Sequence, residues 1–123
     1  MSRKREFSSL AQRVLHTIAY HLGLKPNTYE VRFNAGGPAV SGDASLHSDS
    51  LYINMSQTSY GGLGNQRFYY RSVKGRKDYS GGTNQWMLYE QLDNLYKASE
   101  SFATVAGIDI QSVRNEQLRG LAQ

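Results

Sequence analysis

Residues 29–56 read YEVRFNAGGPAVSGDASLHSDSLYINMS, and this stretch decides the fold class. Apolar and polar residues alternate in three rows, at 29–34, 40–47 and 51–56. A period of two is typical of strands that bury every second side chain. Because glycine, proline, serine and aspartate separate the rows, the stretch predicts antiparallel strands joined by short turns.

The segment before these strands has helical periodicity. Apolar residues recur at steps of three and four from Phe7 to Leu22, which places them on one face of a helix predicted at residues 8–22. Gly23 is suited to end this helix, because glycine adopts the left-handed conformation without strain. We expect residues 1–6 to form a flexible basic terminus.

The segment after the strands is predicted to be mostly helical. A fourth strand at 66–73 is followed by a long helix that begins at Thr83 or Asn84 and ends at Gly107. Its expected apolar stripe comprises Leu88, Leu92, Leu95, Tyr96, Phe102, Ala103 and Ala106.

The C-terminal residues have a weaker pattern. Asp109 is suited to cap a short helix that uses Ile110, Val113, Leu118 and Leu121, or the tail docks on a partner subunit. The predicted fold is therefore one α+β domain over residues 1–123. It has a meander of about four antiparallel strands with the helices on one face. A free sheet edge together with this weak tail favours a homo-oligomer.

Composition narrows the classes of function. The chain has 123 residues and no cysteine, which excludes disulfides, cysteine-ligated metals and a thiol nucleophile. No apolar run approaches the roughly 20 residues that span a bilayer, so we expect a cytoplasmic protein without a membrane partner. The net charge of +4 permits an anionic partner.

The sequence contains no recognisable catalytic motif. Its three histidines, His16, His21 and His47, are too scattered to predict a metal site. The carboxylates of the long helix lie off its apolar stripe and are typical of a solvated face. We therefore expect a protein that is not an enzyme and has no cofactor. A histidine and a carboxylate within hydrogen-bond reach in a polar cleft would favour an enzyme instead.

Residues 71–86 form a basic, glycine-rich loop between the fourth strand and the long helix. Arginine and lysine bind phosphate, glycines let backbone amides approach a ligand, and a helix N-terminus favours an anion. Aromatic rings in and beside the loop offer surfaces for base stacking. Arg67, Tyr69 and Arg71 are predicted to share one face of the preceding strand and to extend this surface. The alternative is a solvated loop without a ligand. The candidate ligand-binding residues are Arg67, Tyr69, Arg71, Lys74, Arg76, Lys77, Tyr79 and Trp86.

A second polar surface is predicted on the middle strands. We interpret it as the solvated side of a one-sided antiparallel sheet, with recognition of bases or of a protein edge as the alternative. The chain also has nine tyrosines, which fits either a binding surface or half-buried strands. The polar residues of this second surface are Ser41, Asp43, Ser45, Tyr52, Asn54, Ser56 and Gln57.

Three segments, at 34–42, 51–54 and 70–82, resemble small accessory proteins of bacteriophages and prophages. They cover the middle of the chain and not the helices. The resemblance carries no catalytic residues. It implies a protein that occludes a host or defence component, or that sequesters a signal molecule, inside the bacterial host.

Two binding hypotheses follow from the sequence. In the first, the basic loop engages a phosphate-bearing ligand, which is either a nucleic acid or a nucleotide. In the second, the protein inhibits a host or antiviral-defence protein. The inhibiting surface is either the tyrosine-bearing sheet or the long helix with its carboxylates.

Overall fold

The computed structural model describes residues 3–34, 42–56, 67–78 and 82–121, with side chains from residue 9 onward. The described residues have the predicted α+β architecture. Its elements are α1 (Arg3–His21), β1 (Tyr29–Asn34), β2 (Asp43–Ser48), β3 (Leu51–Ser56), β4 (Arg67–Ser72), β5 (Gln85–Leu88), a 3₁₀ turn (Tyr89–Asp93), α2 (Leu95–Ala106) and α3 (Ile110–Leu121).

The five strands form one antiparallel meander in the order β1-β2-β3-β4-β5. Leu46 of β2 lies opposite Val31 on one side and Ile53 on the other, and Ile53 in turn lies opposite Tyr70. The apolar rows that the alternation predicted therefore meet on one face of the sheet, where the helices cover them.

The predicted starting position of the long helix was wrong. Residues 85–88 form the fifth strand, and α2 begins only at Leu95, where the Asn94 side chain accepts a hydrogen bond from the backbone N–H of Lys97. Periodicity does not separate helix from strand in so short an apolar run. The strand is the better solution because it pairs with the backbone of β4 and buries Met87 opposite Phe68.

The first helix is longer than predicted. It begins at Arg3 instead of residue 8, so most of the segment expected to be flexible lies in its first turns. Its C-terminal end is close to the predicted one. Gly23 has φ of 73°, and the N–H of Leu24 donates to the carbonyl of Ala19 at 2.9 Å. This is the helix termination expected of a left-handed glycine.

The core lies between the sheet and the helices α1 and α2. Phe102 of α2 is fully buried, and its ring centroid lies 4.8 Å from that of Tyr70 and 6.2 Å from that of Phe68. The hydroxyl of Tyr89 donates to the carbonyl of Ser56 at 2.9 Å and accepts its N–H at 2.8 Å. This pair of bonds fixes the 3₁₀ turn to the end of β3.

The helix α3 packs loosely on the outside of the other two. Asp109 caps it as predicted, accepting the N–H of Ser112 at 3.2 Å. Gln117 donates to the carbonyl of Tyr20 at 2.7 Å, and Arg114 pairs with Glu100 at 3.0 Å. No residue of α3 is buried. Among the described helices, none combines the length and apolar character that a membrane span requires.

Candidate functional site

The sheet face that points away from the helices carries polar, charged and aromatic side chains. In one cross-strand row, His47, Tyr52 and Arg71 lie opposite one another; in the next row Asn54 and Tyr69 do so. The second row continues to Ser45 on β2 and to Trp86 on β5. We call this surface the polar face, and its members on β2 to β5 are Asp43, Ser45, His47, Tyr52, Asn54, Arg67, Tyr69, Arg71 and Trp86.

Four rings of the polar face form an aromatic ladder across the strands β2 to β5. Ring centroids are separated by 5.1 Å between His47 and Tyr52, 6.0 Å between Tyr52 and Tyr69, and 5.6 Å between Tyr69 and Trp86. All three ring pairs are tilted, by 54° to 58°. The ladder ends at Trp86 on the edge strand, where 52% of the residue surface is exposed.

Two arginines of β4 lie on the rings of this ladder. The Cζ of Arg67 is 5.0 Å from the ring centroid of Trp86, and the Cζ of Arg71 is 5.0 Å from that of Tyr52. These are cation–π distances. Arg67 is exposed, whereas Arg71 keeps only 8% of its surface accessible. Positive charge and flat rings therefore alternate along β4.

A hydrogen-bonded network occupies the middle of the polar face. The amide nitrogen of Asn54 donates to Asp43 Oδ2 and to the Tyr52 hydroxyl, both at 3.0 Å. Burial, and after it the hydrogen bond to the Tyr52 hydroxyl, raises the pKa of Tyr69 to about 12. The Tyr69 phenol therefore stays neutral at physiological pH.

The histidine of the ladder is also held within this face. A hydrogen bond of 2.8 Å joins His47 Nε2 to the Ser45 hydroxyl. Burial lowers the pKa of His47, and the nearby Arg32 lowers it further, whereas Glu30 acts in the opposite direction. Glu30 and Arg32 form an ion pair of 2.6 Å on β1.

The predicted solvated surface on the middle strands is more enclosed than expected. Ser45 and Asn54 each have 8% of their surface exposed, and the Tyr52 hydroxyl lies against the Asn54 amide, whereas Ser56 is exposed. The interpretation of this surface as the solvated side of the sheet was therefore wrong for Ser45 and Asn54, but not for Ser56. Ser41 and Gln57, which were predicted to belong to this surface, lie outside the described residues.

The basic loop joins β4 to β5 and does not lead into a helix. The prediction of a strand-to-helix loop was wrong, and with it the argument that a helix N-terminus at its end favours an anion. The loop is ordered by Asp78, whose carboxylate accepts the N–H of Lys74 at 3.1 Å and whose carbonyl accepts a bond from Arg71 at 3.4 Å.

Arg76 fastens the loop to the neighbouring turns. Its guanidinium donates to the carbonyl of Asn27 at 2.5 Å and forms an ion pair of 3.4 Å with Asp49. Arg76 is thus engaged within the protein, whereas Lys74 and Lys77 are exposed. The loop presents two lysines to solvent and uses its arginine to hold its position.

The structure brings together half of the predicted site residues. Arg67, Tyr69 and Arg71 lie on the polar face as predicted, and β5 adds Trp86 to it. Tyr79 lies outside the described residues. Tyr52 and His47 were not predicted to belong to this site. Alternation places both on the same side as Tyr69 once the strand register is known.

Outside the polar face, the described residues include one further polar cleft. A shallow acidic cleft of about 420 Å³ at the start of α2 is lined by Glu90, Asp93, Lys97 and Glu100. Within the described ranges, no group of three or more histidine and carboxylate side chains is arranged to hold a metal ion.

No protein-family model, curated protein or solved structure shows significant similarity to the chain.

Proposed function

We propose that this protein binds nucleic acid on the polar face of its sheet. The observation that carries the proposal is the aromatic ladder with its two arginines, Arg67 and Arg71. Every base has a flat π surface that stacks on tyrosine or tryptophan, and the exposed Arg67 is placed to form paired hydrogen bonds to phosphate, whereas the enclosed Arg71 adds positive charge. Sheets that bind RNA in other proteins use the same combination of exposed strands and stacked rings.

The shape of the site favours a polymer over a single nucleotide. The ladder crosses four strands, and its ends at His47 and Trp86 lie on opposite sides of β3 and β4. A small nucleotide is normally held in a concave pocket that buries most of its surface. An extended row of rings instead matches successive bases along a chain.

Calorimetric titration with an oligothymidylate at low salt tests this proposal. We expect Trp86→Ala to weaken binding by about 1–3 kcal/mol, the usual contribution of one stacked base. Tyr20→Ala is the matched control, because Tyr20 is 57% exposed but lies on α1. Binding that is absent, or that Trp86→Ala and Tyr20→Ala reduce equally, would contradict the proposal.

Inhibition of a host or antiviral-defence protein in the bacterial cytoplasm is the second candidate. It is favoured by large hydrophobic residues on the outer surface of the helices, where Tyr20, Tyr96, Leu118 and Leu121 are 55% to 79% exposed. Tyrosine and arginine are frequent in energetically important contacts between proteins, and Arg114 stacks on Tyr96 here at 3.6 Å. A stoichiometric partner that survives nuclease treatment, and that Tyr96→Ala releases, would support this candidate.

A further inference from the structure

The side chains along β4 form a track that leads from the polar face to the basic loop. Arg67, Tyr69 and Arg71 point to the same side of the sheet, about 7 Å apart along the strand. The strand ends at Ser72, and the exposed Lys74 and Lys77 follow directly. Positive charge thus continues from Arg71, beside the Tyr52 ring, into the basic loop.

The loop has a defined position relative to this track. Arg76 is bonded to Asn27 and Asp49, and Asp78 is bonded to both Lys74 and Arg71. These contacts come from three separate parts of the chain. The backbone that carries the two exposed lysines is therefore fixed against the same end of the sheet that carries Arg71.

We infer that the ligand is a single strand that follows the aromatic ladder from Trp86 through Tyr69 to Tyr52 and continues onto Lys74 and Lys77. This inference rests on the proposed function and specifies its ligand. Bases stack on the rings of Trp86, Tyr69 and Tyr52, which an intact duplex does not permit because its bases are already stacked and paired. The two lysines contact only phosphates beyond the rings, so they act on strands longer than the ladder.

The site size follows from this arrangement. Three stacking rings hold three bases, which is close to the lower limit of about 4 nucleotides for common single-strand-binding folds. A strand of that length occupies the ladder alone. Strands of about 16 nucleotides, near the upper limit for such folds, also reach the loop.

The test compares oligothymidylates of about 4 and about 16 nucleotides with a duplex of the longer length, by calorimetric titration over a range of salt. In the double variant Lys74→Ala/Lys77→Ala we expect the affinity for the longer strand to fall about tenfold. Its salt slope should decrease by about 0.7 for each lost phosphate contact. The shorter strand should bind both proteins equally. Lys97→Ala, which removes an exposed lysine of α2, is the control.

The outcomes separate this inference from the proposed function. Suppose that Trp86→Ala weakens the binding of both oligonucleotides but the double-lysine variant binds like the unmodified protein. The inferred contact with the two lysines is then wrong, and base stacking on the ladder is supported. An equal loss at both lengths, or a duplex that binds as tightly as the single strand, also overturns the inference. If no oligonucleotide binds, the proposed function and the inference fall together.

Discussion

His47 is a nearly enclosed side chain of the polar face, with 7% of its surface exposed. Burial and Arg32 lower its pKa, so the folded protein favours the neutral imidazole. The unfolded chain takes up a proton near the ordinary histidine pKa of about 6.5. The stabilisation is therefore complete above that pH and is lost as the pH falls towards the folded-state pKa.

We expect His47→Gln to make folding stability less sensitive to acid. Urea unfolding at about pH 7.5 and about pH 5.5 measures this, because the difference in unfolding free energy should be smaller in the variant. Some decline should remain, since burial and the nearby Arg114 also lower the pKa of His21. An unchanged difference between the two pH values would show that His47 is not linked to folding.

Arg71 illustrates how one residue serves both the fold and the candidate site. Its guanidinium lies beside the Tyr52 ring and donates to the carbonyl of Asp78, so it joins the polar face to the basic loop. For this reason Trp86, which is exposed at the edge, is the better position for a binding test. Its removal leaves the described hydrogen bonds of the loop in place.

The hairpin formed by β4 and β5 depends on one glycine. Gly82 has φ of 75°, and a Cβ atom there would lie 2.4 Å from the carbonyl oxygen of Ser72. We expect Gly82→Ala to lower the free energy of unfolding by more than about 1 kcal/mol, because both the backbone conformation and the contact are unfavourable.

Gly75→Ala is the control for this prediction. Gly75 lies in the same connection, and an added Cβ would meet nothing within 4 Å. We expect its unfolding free energy to stay within about 0.5 kcal/mol of the unmodified protein. Urea denaturation of both variants measures their free energies of unfolding. Equal decreases in the two variants would show that the contact with Ser72 is unimportant.

How well each element was predicted depended on the length of its pattern. The strands around Val31 and Ile53 were predicted because six residues alternate in each. The four residues of β5 carry too few alternations, and Leu88, Leu92 and Leu95 imitate a helical stripe. Short apolar runs are ambiguous until their partner strand is known.

The candidate site was predicted only as far as single strands allow. Arg67, Tyr69 and Arg71 were grouped because they belong to one strand with known alternation. The neighbouring rings of Tyr52 and Trp86 join them through pairing between strands, and pairing register is a tertiary property. The loop residue Arg76 was assigned to phosphate, whereas its contacts with Asn27 and Asp49 depend on chain segments remote in sequence.

The molecule as a whole divides its two sheet faces between stability and the proposed binding. The helix-covered face holds a continuous core, in which Phe102 joins α2 to Phe68 and Tyr70 of β4. The polar face supplies the charged and aromatic groups of the candidate site. Substitutions of the buried Phe102 and of the exposed Trp86 should therefore have separable effects.

We expect Phe102→Ala to cost about 3–5 kcal/mol, which is a large fraction of the about 5–15 kcal/mol that stabilises a typical domain. Leu121→Ala is the contrasting variant, because Leu121 is 79% exposed at the end of α3. It should change the unfolding free energy by no more than about 0.5 kcal/mol. Chemical denaturation compares the two, and similar costs would contradict this description of the core.

The chain contains one tryptophan, and it stands at the exposed end of the aromatic ladder. The indole emission of the unlabelled protein therefore reports on a single place. A ligand that stacks on Trp86 will quench this emission or shift its wavelength, whereas one that binds to the helices will leave it unchanged. The molecule thus carries its own optical probe for distinguishing the two proposed modes of binding.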